Sequence, residues 1–244
     1  MRNARTPTQK TINIELLVEV NQMAAPVIDV KDLVKKYNGR TAVLDGVTFS
    51  VSAGEFVMVY GKSGCGKTTL LNILGGLDRS TAGSVAIDGE AIEGMSQDQL
   101  AKLRLRKIGF VFQDFNLLPD LTVRENIALP LLFSKAGDQS RALEMIRKFD
   151  LSDVADETAN KISGGEAQRT AIARAMMNSP KIILADEPTG NLDNENTENV
   201  MSMFELVVRD YGTTIVLATH DKELARHSSM RLYLEKGKAS VENG

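Results

Sequence analysis

Gly61, Lys62, Ser63, Gly64, Cys65, Gly66, Lys67 and Thr68 follow the spacing glycine, four residues, glycine-lysine-threonine. The segment comes straight after an apolar run, 56–60, and opens a helical pattern at residue 67, with Thr69 continuing the same turn. Small residues let consecutive backbone N–H groups close around phosphate oxygens, and a helix N-terminus adds positive potential at the same place. On this spacing Lys67 reaches the outer phosphates of a purine nucleotide, and the Thr68 hydroxyl binds the accompanying Mg2+. A glycine-rich turn with a chance lysine is the plain alternative. The strand before it and the helix after it count against that alternative.

A second chemical group lies at 181–187, where an apolar strand through Ile182, Ile183 and Leu184 ends in two carboxylates, Asp186 and Glu187. In a phosphate-loop fold, an acid at such a strand end sits beside the metal. Asp186 is then the Mg2+ partner, through water, and Glu187 is placed to polarise an attacking water as general base. Alone, the pair also reads as a strand closed by solvated charges. Beside the phosphate loop it points to hydrolysis.

The elements that must position these groups follow from hydrophobic period. Runs at 27–34, 47–51, 56–60, 84–87, 110–112, 182–184 and 214–218 have strand character, bounded by glycine, proline or charge. Those at 56–60, 182–184 and 214–218 are nearly continuous in apolar residues, as strands buried on both faces of a parallel sheet are. Helical period fits 67–77, 97–106, 124–133, 139–149, 165–177 and 196–209. This alternation predicts an α/β fold with a mainly parallel core. The middle, roughly 95–160, reads as a helical lobe. Residues 1–26 read as an N-terminal extension to a domain at 27–244.

Composition narrows the function classes. The chain has 244 residues and a formal net charge of -3, so bulk attraction to nucleic acid is not expected. The basic group Arg104, Arg106 and Lys107 reads as a solvated helix face. There is one cysteine, so no internal disulfide forms. No apolar run approaches the roughly 18 residues of a spanning helix, which leads to the expectation of a soluble, intracellular protein.

A third group, Ser163-Gly164-Gly165-Glu166, precedes the helical pattern at 165–177 and makes a second anion-binding helix end in one chain. Alone it is a common loop. Some twenty residues before the acid strand, it resembles the signature motif of ABC ATPases. The rest of that family's pattern follows in order over about residues 27–238. Tyr37 resembles the adenine-stacking aromatic and Gln113 the Q-loop glutamine. Asn191-Leu192-Asp193 resembles the D-loop, and His220 the switch histidine. Singly, Tyr37 reads as packing, Gln113 as a surface amide and His220 as a strand-end imidazole.

The resemblance implies a phosphate-loop core with a mainly parallel sheet, an antiparallel β subdomain and a helical subdomain. It implies an ATPase that works as a homodimer with two ATP molecules between the copies. Each ATP is held by the phosphate loop of one chain and the signature of the other. Ser163 and the amides of Gly164 and Gly165 would cap the γ-phosphate from across the interface. His220 would clamp the γ-phosphate and the attacking water, and Gln113 would sense Mg2+. Glu166 stands where many members carry glutamine.

The segments 110–119 and 121–127, Met95-Ser96 and Gly190 to Asp193 are similar to the branch for lipoprotein release, macrolide export and antimicrobial-peptide export. That implies a separate integral membrane permease, an export function, and a location on the inner face of the cell membrane. Phe115, Leu117 and Leu118 are candidates for a groove receiving a permease helix, with core packing as their alternative. A regulatory ATPase on a permease-like partner, controlling cell-wall hydrolysis or antibiotic sensing, is the other reading. ABC ATPases of chromosome maintenance, DNA repair or translation would need a long coiled coil or a second cassette. Cys65, within the phosphate loop, predicts thiol-sensitive activity that ATP protects, with a simple small-residue role as the alternative.

Overall fold

A computed structural model of the chain describes residues 25–39, 41–134 and 139–243. Most of the 1–26 extension therefore lies outside the described residues.

Six strands form the central sheet, in the order β10-β9-β3-β8-β7-β6. Its middle members are β3 (Phe56–Tyr60), β8 (Thr214–Thr219) and β7 (Ile182–Asp186). β6 (Ile108–Phe112) and β9 (Met230–Glu235) flank them, and all the pairings among these five are parallel. β10 (Lys238–Asn243) closes one edge, antiparallel to β9. The near-continuous apolar runs have the cause expected of them. Val57 and Val59 enter one hydrophobic cluster, while Phe56, Met58 and Tyr60 enter another. Ile182 and Leu184 against Ile183 and Ala185 repeat the division. Alternate side chains of one strand thus feed two cores, and neither face is left to water.

The first cluster is covered by a four-stranded antiparallel sheet, order β2-β1-β4-β5. It consists of β1 (Ile28–Lys35), β2 (Leu44–Val51), β4 (Ala82–Ile87) and β5 (Glu90–Ala91). Helices α1 (Lys67–Leu74) and α2 (Gln97–Lys107) pack into the same cluster through Leu70, Ile73, Leu100 and Leu103. The second cluster takes α3 (Val123–Ala128), α4 (Gln139–Lys148), α5 (Gly164–Met176) and α6 (Asn194–Tyr211), with Ile127, Met145, Ile172 and Phe204 at its centre.

Helix starts follow local chemistry. Ser96, Thr122 and Ser163 each accept a bond from the third residue of their helix and are capped in return by Gln99, Glu125 and Glu166. Two ends differ from the periodicity. The 67–77 pattern stops at Leu74, and the 124–133 pattern ends as an α-helix at Ala128 and tightens into a 3-10 turn, Leu129–Leu132. Pro130 explains the second, since it has no N–H to return to Asn126. Three strands, β5, β9 and β10, were not visible in the sequence. β9 alternates buried residues with Arg231, Tyr233 and Glu235, and the described side chains of β10 are exposed or half-buried, so neither shows a continuous apolar run.

Candidate active site

The turn between β3 and α1 begins at Gly61, where a Cβ would overlap the carbonyl oxygen of Leu234 on β9. Only glycine lets the central strand leave the sheet there. Lys67 turns back into the loop, 7% exposed, and its ammonium donates to the Gly61 carbonyl at 3.0 Å. A cavity of about 390 Å3 opens over the turn, lined by Ser63, Gly64, Gly66, Lys67, Thr68 and Thr69. Gln113, Glu187 and His220 line it too, so three separate segments that the sequence spacing left far apart meet at the loop. Val43, which no motif marked, completes the lining. Lys62 is exposed beside the cavity. Cys65 is half-buried and packs against the first core.

The carboxylates arrive from the end of β7. Asp186 is partly buried, and its Oδ1 atom has no hydrogen-bond partner. Burial pushes its carboxyl above the ordinary aspartate value and nearby Glu187 adds to this, while a bond from Thr68 and the charge of Lys67 act against it. Glu187 has a left-handed backbone, φ 46°, fixed by its N–H on the Ala218 carbonyl at 2.9 Å. A non-glycine residue held there marks a position the surroundings insist on. One Glu187 oxygen lies 3.5 Å from the Lys67 ammonium and the other 2.8 Å from Nδ1 of His220.

An orphaned buried carboxylate oxygen beside a threonine hydroxyl fits a hard divalent cation or a water bound to one. Among the described residues no cluster of three or more His, Cys, Asp and Glu could hold a metal by itself. A cation here would therefore share phosphate oxygens and water, as Mg2+ does in nucleotide sites.

Gln113, at the end of β6, is tied to Asn191. Its Nε2 donates to Asn191 Oδ1 at 3.3 Å, and Asn191 Nδ2 returns a bond to the Gln113 carbonyl at 3.3 Å. Asp193 caps α6 by accepting from the Asn196 amide at 2.8 Å. Phe115 and Asn116, just past Gln113, are both left-handed, and their carbonyls accept from Arg174 of α5 at 2.7 and 2.6 Å. Tyr37 lies past the end of β1, half-exposed, and its hydroxyl interacts with the side chain of Thr69.

Ser163, Gly164, Gly165 and Glu166 open α5 and do not line the phosphate cavity of their own chain. Ser163 and Gly164 are exposed. The Ser163 hydroxyl donates to Glu166 Oε2 at 2.6 Å, and its amide donates to the same oxygen at 2.8 Å. Those bonds hold the Glu166 carboxyl below the usual carboxylate value. Gly165 is buried, and a Cβ there would overlap the side-chain oxygen of Asn196. The starts of α5 and α6 can meet only because residue 165 has no side chain.

The sequence profile of the family described as ABC transporter matches residues 44–190, which carry the phosphate loop, the signature and both acids. The chain belongs to the ABC transporter family. The cassette is 43% identical over 225 residues to the macrolide export ATP-binding/permease protein MacB of Syntrophobacter fumaroxidans, covering 89% of this chain and 32% of that protein. It thus spans about a third of that relative's length. It is also 43% identical to the uncharacterized ABC transporter ATP-binding protein MJ0796 of Methanocaldococcus jannaschii, with 88% and 96% covered. The dimeric structure of a post-hydrolysis state of the MJ0796 cassette, bound to ADP and Pi, superposes with a TM-score of 0.80. It shares 40% identity and covers 88% of this chain and 98% of that one. As a member of this family the cassette binds ATP and is an ATPase.

Elsewhere on the cassette two adjoining cavities, of about 690 and 890 Å3, form one groove. They share Lys102, Leu105, Phe133 and Asn178. Phe110 and Leu129 line one end, and Arg106 and Arg141 the other. Phe115, Leu117 and Leu118 do not line it. The basic face expected of α2 is divided. Lys107 pairs with Asp88 and Glu90 at 2.7 Å each, while Arg104 and Arg106 border the groove. No helix among the described residues is long and apolar enough to cross a membrane.

Proposed function

We propose that the cassette powers a separate integral membrane permease of export type, by binding Mg2+ and ATP between two copies of itself. The observation that carries this reading is the separation within one chain of two anion-binding helix ends. The phosphate cavity gathers Lys67, Thr68, Gln113, Glu187 and His220, while Ser163 and Gly164 stand exposed on another surface. A second copy facing the first would bring its Ser163, Gly164 and Gly165 to the γ-phosphate, so ATP joins the two copies and hydrolysis separates them.

In this reading Lys67 neutralises the outer phosphates, and Thr68 and Asp186 hold Mg2+, with Gln113 beside it. When bound there, Mg2+ would offset negative charge on the nucleotide's phosphates. Glu187 takes a proton from the attacking water, and His220 holds that carboxylate in place and the γ-phosphate with it. Tyr37 stacks on the adenine, and Asp193 approaches from the facing copy. The cassette sits at the inner face of the cell membrane, with its helical lobe at roughly 95–160. The groove around Leu105 and Phe133 receives a helix of the permease, in place of the surface at Phe115, Leu117 and Leu118. Export follows the likeness to MacB, whose name combines cassette and permease.

Light scattering of the Glu187→Gln variant with ATP and Mg2+ tests this. A shift from monomer to dimer, abolished by Ser163→Arg, is expected. A nucleotide-loaded variant that stays monomeric with a purified permease present would sink the shared-site reading.

A further inference from the structure

Tyr37 is 44% exposed, yet its ring is held on two sides. Its hydroxyl donates to Asp78 Oδ2 at 2.7 Å, and the Lys35 ammonium lies 4.5 Å from the ring centroid. Lys35 is itself 8% exposed, and its ammonium donates to Asp78 Oδ1 and to the Arg79 carbonyl, each at 2.7 Å. Asp78 Oδ1 also accepts from the Arg79 amide at 2.7 Å. The three side chains form a closed triangle whose base is the loop after α1. Burial works against the Asp78 charge, but the bonds from Lys35 and Tyr37 outweigh it and hold its carboxyl below the ordinary value. An exposed aromatic ring would otherwise sample several rotamers, and ordering it on ligand binding is unfavourable. Here that ordering is done beforehand. The ammonium occupies one ring face, which leaves the other to a ligand, and a cation on one face draws electron density from the side where a base would stack.

We propose that Asp78 and Lys35 are positioning residues for nucleotide affinity, locking the Tyr37 ring as a preset stacking surface for adenine. This rests on Tyr37 stacking against the base, so the experiment separates the two ideas. Affinities for ATP and for inorganic tripolyphosphate, each with Mg2+, are measured for the wild type, Tyr37→Ala, Tyr37→Phe and Asp78→Asn. Tyr37→Phe keeps the ring and removes the hydroxyl's bond to Asp78 with its contact to Thr69. It still reports loss of the lock if Asp78→Asn folds poorly, and the double variant with Asp78→Asn shows whether both act through one lock.

The lock predicts that Tyr37→Phe and Asp78→Asn each weaken ATP about two- to tenfold, the range for one immobilised side chain. Tripolyphosphate affinity stays the same, and the double variant is no weaker than the single ones. In Asp78→Asn the KM for ATP rises while kcat at saturation holds. Equal weakening of ATP and tripolyphosphate would overturn the proposal, because Asp78 would then only support the fold. So would an unchanged ATP affinity in both variants while Tyr37→Ala weakens it, since the ring would stack without a lock. If Tyr37→Ala also binds ATP normally, the stacking role of Tyr37 falls, and the lock with it.

Discussion

Nδ1 of His220 lies 2.8 Å from Oε2 of Glu187, and the His220 amide donates to the same oxygen at 3.3 Å. One oxygen of Glu187, the proposed base, is thus anchored to the end of β8, which leaves the other directed at Lys67 and the phosphate turn. The two residues act as a unit, and their losses should not add. Glu187→Gln should lower ATP turnover by about 10²- to 10⁴-fold, the range for a general base. His220→Ala should lose less, about 10- to 10²-fold, because the carboxylate remains but is no longer oriented. The double variant should be no slower than Glu187→Gln, measured by phosphate release. Independent losses in the double variant would show that His220 acts elsewhere.

Asp186 trades stability for its place beside Thr68, Lys67 and Glu187. Its folded carboxyl is raised above the ordinary value of 3.8, chiefly by burial. The folded state therefore holds its proton longer than the unfolded chain does. Stability falls as pH rises from the ordinary carboxylate value through the raised one, and the loss remains in full above it. Asp186→Asn removes that loss, so without nucleotide its melting temperature should exceed the wild type's at neutral pH, and the gap should close on acidification. Mg2+ with ATP should stabilise the wild type more than the variant, whose hydrolysis should fall by about 10²-fold or more. Thermal melts across pH, with and without Mg2+ and ATP, check both signs.

Gly165 and Asn196 form a steric pair between two helix starts. Gly165→Ala would drive a methyl into the Asn196 amide, at about 1–3 kcal/mol for overpacking. Asn196→Ala removes the obstacle, along with the side-chain bonds to both carboxylate oxygens of Asp193. The double variant should be more stable in urea denaturation than the sum of the single losses allows. Strict additivity would mean that the two helix starts separate without difficulty.

Phe133, at the edge of the groove, and its chain neighbour Leu132 are 75% and 77% exposed, far more than their hydrophobicity alone would leave. Phe133→Ser should change folding stability by no more than about 0.5 kcal/mol, as surface substitutions do. It should nevertheless abolish co-purification with the permease. A variant that still binds its membrane partner at full strength would move the docking surface elsewhere.

Much of this site was legible because its chemistry is local. The turn from Gly61 to Thr68, the acids at the end of β7 and the cap at Ser163 are contiguous segments whose residue types dictate their own backbone. The doubly buried strands were equally plain, since apolar residues at successive positions, as in 56–60 and 214–218, suit only a strand covered on both sides. What stayed hidden depends on partners far along the chain. Val43 carries no chemical mark. The tie between Gln113 and Asn191 spans 78 positions. The groove around Leu105 and Phe133 is assembled from α2, the turn after α3 and the end of α5, segments too far apart in the chain for the sequence to show that they meet. β9 escaped notice because Arg231, Tyr233 and Glu235 interrupt it, although it supplies the carbonyl that forces residue 61 to be glycine.

Arg174 reaches from the helix that Ser163 begins to the segment that Gln113 begins, and it grips that segment only by the main-chain oxygens of Phe115 and Asn116. Burial holds its guanidinium below the ordinary arginine value. Because the grip ignores side chains, residues 115 and 116 are free to drift over evolutionary time without loosening it, provided they can still adopt the left-handed backbone. Lineages could then vary the side chains at 115 and 116 while inheriting the same tie between the helix that Ser163 begins and the segment after Gln113. Arg174 itself has no such freedom.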